Sequence, residues 1–525
     1  MDRSNACVCQ PWNMINQKIL CLGDNTSVDA WAHKLTKKFA EENNCTLRGL
    51  INNKNQKIEI GCYHTNPFSL LSKDIIDIAN NFDRIVVLDQ SQDQYSSPHL
   101  FVSMFKLIKH LQEIKIHVEI LNKQNFTNIE YWHELLTKNK SFCIYPWIYS
   151  GGYYGHHTTC MLSRLPLTKI NQIKNWKKDK KFSKIRDKML KGELIEKNCN
   201  KCYKHEEQGI RWIRYHETLE WVTRMKYQSI KDLKKITAPL YYEIRSSNKC
   251  NIKCRTCEPS YSHLIEKEYN DSKDEQFKNL ALAKKWSAMT TFDTINFDHL
   301  ERLYVAGGEP TILPELYNFL KECIDRKRTN FDFRINTNAV KISDKLFQLF
   351  KNFQHLGFSC SMDGTSRVNE YIRWGTNSEK QIGNIHRLHA QGHQISFISV
   401  CSIYNITNIG KLYQFYEKEF PYATVQLQLA GYKDDLLSPF NYPDHKLALD
   451  SLSLAKKTSV YYHNERGTKD IVDALIKHYQ KSVNCDFNKL KNFFIYNDKL
   501  DQYRGSRLQD YIDDLDNCRK YIMQT

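Results

Sequence analysis

The chain has 525 residues, 41% hydrophobic and 12% aromatic, which supplies packed cores and excludes wholesale disorder, and its length suggests about two to four domains. No apolar run approaches the roughly 18–20 residues that span a bilayer, and the opening MDRSNACVCQPWNM has neither the basic nor the apolar region of a secretory signal, so a cytoplasmic protein without a membrane partner is expected. The net charge of +17 admits a nucleic-acid partner, but runs such as Lys177-Lys178-Asp179-Lys180-Lys181 mix in acids and no arginine-rich arm occurs, which favours lysines spread over solvated helices.

Residues 1–140 read as a small parallel α/β domain. Lys18–Leu22, Arg84–Leu88 and Ile116–Ile120 are buried-strand patterns, separated by helical patterns that run to about Glu42 and over 99–113. Gly23-Asp24-Asn25 follows the first strand. It faintly resembles hydrolases with Gly-Asp-Ser at that place, but Asn25 stands in the nucleophile's position and Ser27 comes two residues later.

Residues 141–235 change character. Phe142-Cys143-Ile144-Tyr145-Pro146-Trp147 leads into a Gly/Tyr/His turn, then Cys160, a basic helical stretch and Cys199-Asn200-Lys201-Cys202. The chain has seventeen cysteines, and a reducing compartment turns thiols to metals rather than disulfides. The four cysteines of this segment could complete one metal sphere, and both tetrathiolate zinc and a four-cysteine iron–sulfur cluster fit. His156, His157 and His205 are alternative ligands, although histidines beside such a turn more often form hydrogen bonds.

From 236 to 435 strand and helix alternate. Strand patterns at 240–244, 302–306, 332–335, 357–360, 396–400 and 425–429 are separated by helical patterns at about 261–290, 314–327, 342–353, 377–391 and 407–419. Repeated βα units build parallel sheets or barrels, whose active face lies at the C-terminal ends of the strands. The unusual polar residues fall there. Cys250, Cys254 and Cys257 follow the first strand at the spacing C-x3-C-x2-C, Gly307-Gly308-Glu309-Pro310 the second, Asn336-Thr337-Asn338 the third and Ser361-Met362-Asp363-Gly364 the fourth. Three thiolates leave one iron of a cube free for a substrate, whereas a structural zinc is closed by four ligands. Residues 436–525 are charged and mostly helical, with no legible motif.

Taken together, the motifs of 236–435 resemble the radical S-adenosylmethionine (radical SAM) enzymes. Cys250, Cys254 and Cys257 correspond to the family's cluster-binding triad, and Ala306–Pro310 to its GGEP motif, which contacts the methionyl amine. Asn336, Asn338, Ser361 and Asp363, followed by Asn369–Arg373, resemble the strand-end segments that line ribose and carboxylate. Thr256 departs from the aromatic residue often found before the third cysteine, which touches adenine packing more than the cluster. On this resemblance Gly307 and Gly308 allow backbone carbonyls to approach the methionyl amine, Glu309 supplies a carboxylate beside it, Pro310 closes the turn and Arg373 is a candidate partner for a carboxylate.

The 141–235 segment resembles an auxiliary-cluster module of the Twitch/SPASM type placed before the core. The resemblance rests on the F-C-x-x-P-W opening and on Leu190-Lys191-Gly192-Glu193 leading to Cys199 and Cys202, with Glu206, Gly209 and Arg214 behind them. It implies that Cys143, Cys160, Cys199 and Cys202 hold a second [4Fe–4S] cluster, with structural zinc as the alternative. The implied fold class is α/β: a partial (β/α)6 barrel as radical SAM core at 236–435, a small cysteine-rich auxiliary module at 141–235, an N-terminal α/β domain at 1–140 and a helical region at 436–525. The implied activity is reductive cleavage of S-adenosylmethionine at a [4Fe–4S] cluster and hydrogen abstraction from a peptide or peptide-like substrate, with flavodoxin or ferredoxin as electron donor. A nucleic acid or nucleotide substrate is the second reading, and a non-catalytic metal-binding scaffold the third.

Overall fold

A computed structural model of the chain describes residues 19–22, 60–62, 84–88, 118–121, 123–153, 156–163, 166–169, 176–207, 213–283, 290–430, 436–462, 468–481 and 486–524. They form two compact units, one of residues 1–137 with 216–231 and the other of 138–215 with 232–525. Gly23, Asp24, Asn25, Ser27, Gly209 and the helical patterns at 25–42 and 99–113 lie outside the described residues.

In the first unit, strands β1 (Ile19–Leu22), β2 (Ile60–Cys62), β3 (Arg84–Leu88) and β4 (Val118–Leu121) make a parallel sheet in the order β2-β1-β3-β4. β2 is a strand the sequence pattern did not reveal, because three residues are too few to display alternation.

The second unit is an α/β fold built on a seven-stranded sheet. Its strands are β5 (Tyr149–Ser150), β8 (Tyr241–Ile244), β10 (Arg302–Val305), β11 (Asp332–Thr337), β12 (Leu356–Ser361), β14 (Gln394–Cys401) and β15 (Thr424–Leu429). Every neighbouring pair is parallel, and the spatial order β5-β8-β10-β11-β12-β14-β15 repeats the chain order. Among the described residues there are also two antiparallel pairs of two-residue strands: β6 (Gly152–Tyr153) with β7 (His156–His157), and β9 (Lys253–Cys254) with β13 (Arg373–Trp374).

Helices cover the sheet because parallel strands need apolar cover on their faces. Leu303, Phe333, Phe358 and Phe397 from the strands pack with Leu316, Phe319, Phe347, Ile385 and Leu412 from the crossover helices, all buried. Each such side chain contributes about 1.5–3 kcal/mol relative to exposure. Local signals set the helix starts. Pro314 opens Pro314–Asp325, Ser343 caps Asp344–Phe350 and Asn377 caps Ser378–Ala390. The helical pattern expected over 261–290 is two helices, His263–Asn270 and Glu275–Ala283. Asp274 separates them, its carboxylate accepting from the N–H groups of Gln276 and Phe277. The C-terminal helices His445–Ala455, Thr468–Gln480, Phe487–Arg504 and Asp513–Gln524 add Leu452, Leu475, Phe493 and Leu515 to the same core.

Candidate active site

All seven strands run the same way, so the loops after their C-terminal ends gather on one edge of the sheet. The cysteine loop leaves β8 and the double-glycine turn leaves β10, its immediate neighbour. The two loops are laced together by their backbones. Gly308 N–H donates to Ser247 O at 3.0 Å and Glu309 N–H to Lys249 O at 2.7 Å. The glycines make this approach feasible. A Cβ on Gly308 would lie 2.0 Å from Lys249 O, and one on Gly307, whose φ is +136°, would lie 2.7 Å from Ser247 O. The missing side chains therefore serve first to bring the turn against the residues just before Cys250.

Glu309 is a brace. It is 1% exposed, and its Oε1 accepts from Thr311 N–H at 3.1 Å, the Thr311 hydroxyl at 2.7 Å and the Thr337 hydroxyl at 2.7 Å. Its Oε2 accepts from Asn338 N–H at 2.6 Å. Burial pushes this carboxyl up, and the four donors oppose the shift. The carboxylate thus ties the end of β10 to the end of β11, a role the sequence did not suggest. Pro310 opens the short 3-10 turn Pro310–Ile312 and is buried.

Asn338 extends the lacing, since its Nδ2 donates to Asn251 Oδ1 inside the cysteine loop at 2.8 Å. Cys250 N–H donates to His263 Nδ1 at 3.1 Å. Gln381, fully buried, donates to Asn338 O at 2.7 Å and to Ser361 O at 2.9 Å, joining the ends of β11 and β12. Asp363 is buried and accepts from Arg373 Nη1 at 2.9 Å and from Val400 N–H at 2.7 Å. Asn405 and Asn369 fix its backbone from either side. Gln381, Asn405 and His263 escaped the sequence reading because each is an ordinary polar residue on a helix or turn, chosen by tertiary contacts.

Arg373 is no surface residue. It stands opposite Cys254 in the β9–β13 pair, which fixes it beside the thiols. Its Nε is buried and has no hydrogen-bond partner, and the same holds for Asn336 Oδ1. One is a donor and the other an acceptor, both on the edge where the thiols stand. Unsatisfied buried polar atoms are costly, and a bound ligand or an ordered water completes them.

Cys250, Cys254 and Cys257 are unpaired and half-buried. Burial, then the neighbouring Cys254, push the Cys250 thiol up to about 12. Burial and then the charges of Cys254 and Cys250 raise Cys257. Burial raises Cys254, against the opposing guanidinium of Arg373. Thiols that crowd and repel one another as anions need cations to hold them as thiolates. The Ile252 N–H aimed at Cys250 favours the anionic sulfur.

The second group of cysteines also comes together. Burial and then Cys160, with Cys202 and Cys199 behind it, raise Cys143. Burial followed by Cys160 and Cys202 pushes Cys199 up to about 12, and burial lifts Cys202 to the same region. Cys199 and Cys202 sit one turn apart on the helix Glu196–Glu207. Backbone N–H groups of Tyr145, Leu162, Ser163 and Arg214 point at sulfurs of Cys143, Cys160 and Cys202. Arg214 binds the segment together. It forks onto Glu206 at 2.8 and 2.5 Å and donates to Phe142 O at 2.7 Å, so the helix and the Cys143 loop share one anchor. His157 packs on the rings of Trp176 and Phe182 instead. The side chain of His205 lies outside the described residues. Among the described residues, no group of three or more His, Cys, Asp or Glu is arranged around one metal ion. A cube of iron and sulfide gives each thiolate its own iron and spaces the ligands more widely.

Residues 244–415 match the family model described as the Radical SAM superfamily, a stretch short of half the chain. No curated protein matches the sequence. Among solved structures, Streptococcus suis SuiB bound to S-adenosylmethionine is 18% identical at a TM-score of 0.28, the match covering 49% of this chain and 57% of that one. Native anSMEcpe with bound AdoMet is 16% identical at a TM-score of 0.30, covering 49% and 67%. Streptococcus suis SuiB bound to precursor peptide SuiA is 15% identical at 0.27, covering 59% and 60%. The chain thus spans less than two thirds of each of these two SuiB chains. No helix among the described residues is long and apolar enough to cross a membrane.

Proposed function

We propose, from the radical SAM domain that residues 244–415 form, that this enzyme cleaves S-adenosylmethionine reductively and abstracts hydrogen from a peptide or peptide-like substrate. The observation that carries the reading is the lacing of the three-cysteine loop to the double-glycine turn at adjacent strand ends. When bound, a [4Fe–4S] cluster and S-adenosylmethionine supply the one-electron cleavage of the sulfonium and a 5′-deoxyadenosyl radical.

In this reading Cys250, Cys254 and Cys257 would hold the cluster as its three thiolate ligands. Asn336 Oδ1 accepts from a hydroxyl or ammonium, and Arg373 Nε donates to a carboxylate, which matches the polar parts of an amino-acid nucleoside. Asp363 keeps the Arg373 guanidinium oriented. Glu309 holds the turn so that the backbone of Gly307 and Gly308 faces the ligand. Asn338 and Ser361 take their places through Gln381. The chain order of the strands supports a partial barrel, since each crossover steps to the next position without reversal.

Cys143, Cys160, Cys199 and Cys202 hold a second [4Fe–4S] cluster, which is why a peptide-type substrate is preferred. Four mutually repelling thiols with backbone N–H groups aimed at them suit an anionic iron–sulfur centre. Flavodoxin or ferredoxin delivers the electron.

Anaerobic reconstitution followed by S-adenosylmethionine and dithionite tests the first step. Formation of 5′-deoxyadenosine is expected, and its absence from an iron-replete protein overturns the reading. Deuterium transfer into 5′-deoxyadenosine from labelled peptide, and not from labelled RNA, is the expected substrate result. The reverse result would install the nucleic-acid reading.

A further inference from the structure

Between the second and third cysteines of the triad stands Arg255, and its side chain is completely buried. A guanidinium in such a place needs a reason, because a buried ion pair rarely stabilises more than apolar packing of the same volume. Its donors are well occupied. Nε donates to Tyr371 O at 3.0 Å, Nη1 to Asn497 Oδ1 at 3.0 Å, and Nη2 to Ser506 Oγ at 2.9 Å and to the carboxylate of Asp501. The cation lies 3.7 Å from the centre of the Tyr371 ring. Its own N–H donates to Ile372 O at 2.7 Å.

Three of these partners belong to one place, the end of the helix Phe487–Arg504 and the turn after it. Asp501 is held in turn by Tyr371 OH at 2.9 Å, Leu508 N–H at 3.0 Å and Ser506 Oγ at 2.6 Å. Asn497 accepts from Tyr404 OH at 2.9 Å. One turn further along the same helix, Arg504 donates to the backbone carbonyl of Lys253 at 3.0 Å and forks onto Glu268 at 3.1 and 2.7 Å. Lys253 Nζ reaches that same carboxylate at 3.0 Å. The helix therefore grips the residues on both sides of Cys254, through backbone as well as side chain.

We propose that Arg255 is a positioning residue for the three-thiolate site, and that the helix Phe487–Arg504 sets it: the C-terminal segment fixes the separation and direction of Cys254 and Cys257. The warrant is geometric. Arg255 lies one residue after Cys254 and two before Cys257, and every bond of its guanidinium runs to the C-terminal helix and its turn or to Tyr371. A shift of the helix end would be passed through a planar guanidinium bonded to Asn497, Asp501 and Ser506 to both cysteines, where an apolar side chain would slide. This rests on the assignment of an open-cornered cluster to the triad.

The test uses the full chain, reconstituted anaerobically, and follows the electron paramagnetic resonance signal that changes when S-adenosylmethionine is added. Asp501→Asn and Arg255→Lys are expected to lose that responsive signal to a ferrous chelator about tenfold faster or more than the unaltered protein. Arg255→Lys should be milder than Arg255→Ala. Asp498→Asn, on the same helix but paired with Arg519 at the surface, should leave the rate unchanged. Ser506→Ala, which removes one bond from each of Arg255 and Asp501, provides the reading if Asp501→Asn does not fold. A lowered melting temperature with unaltered chelation rate and unaltered response to S-adenosylmethionine overturns the proposal. Absence of any responsive signal in the unaltered chain overturns the cluster assignment itself.

Discussion

The two cysteine groups solve the same packing problem by different means. The triad is spaced by seven residues from first to last and is held from outside, by the double-glycine turn, by Asn338 and by a helix about 250 positions away in sequence. The group of Cys143, Cys160, Cys199 and Cys202 draws its thiols from 60 positions of chain and is held from within, by Arg214 joining the helix to the Cys143 loop. A short loop needs external walls, because three local thiols leave most of the surroundings to be supplied by other strand ends. Thiols spread along the chain build their own enclosure. The difference teaches that the first site depends on the whole sheet, whereas the second depends on one segment.

That contrast can be broken most forcefully at the triad. Cys254→Ala should abolish 5′-deoxyadenosine formation and remove about four irons per chain, leaving the second cluster in place. Metal and sulfide analysis checks it, and loss of both sets together would show that the sites are not independent. Next comes Gly308→Ala, whose methyl would meet Lys249 O at 2.0 Å. A cost of about 1–3 kcal/mol or more is expected, read as a lower melting temperature together with reduced iron at the triad only. Cys199→Ala should remove iron and sulfide equivalent to one cluster while cleavage of S-adenosylmethionine partly survives. If zinc leaves instead of iron, the second site is a structural zinc. The smallest effect is expected for Arg214→Lys, which keeps the charge beside Glu206 but loses the fork onto its carboxylate and the bond to Phe142 O. About 1–2 kcal/mol should be lost, with iron at the second group bound less firmly and the response of the triad to S-adenosylmethionine unchanged.

Much of the central sheet was legible because its strands are short apolar runs closed by conspicuous residues: the cysteines, the double glycine, Asn336 to Asn338 and Ser361 to Gly364. β5 was not, since Tyr149 and Ser150 form a two-residue edge whose only signature is the partner it finds in β8. Asn369–Arg373 was read by resemblance as part of a strand-end segment, and its first four residues lie in the helix Ser366–Ile372, whose seven residues show less than two turns of periodicity. Within the site, the named residues were visible but their duties were not. Glu309 is expected from sequence beside an ammonium, and its four-donor bracing of two strand ends was not legible there. Arg255 looks like a spacer between cysteines, and nothing local announces that Asp501 will meet it. Long-range polar pairs leave no periodicity, and so they leave no trace in a single sequence.

Arg255 also orders events in time. A nascent chain that has emerged as far as residue 430 contains every strand of the seven-stranded sheet, yet the guanidinium still lacks Asn497 and Asp501, which lie 242 and 246 positions downstream. Until the last helices leave the ribosome, the loop between Cys254 and Cys257 has an unburied charge and an unsealed flank. Phe487–Arg504 is therefore the element whose docking buries that charge and completes the wall of the loop.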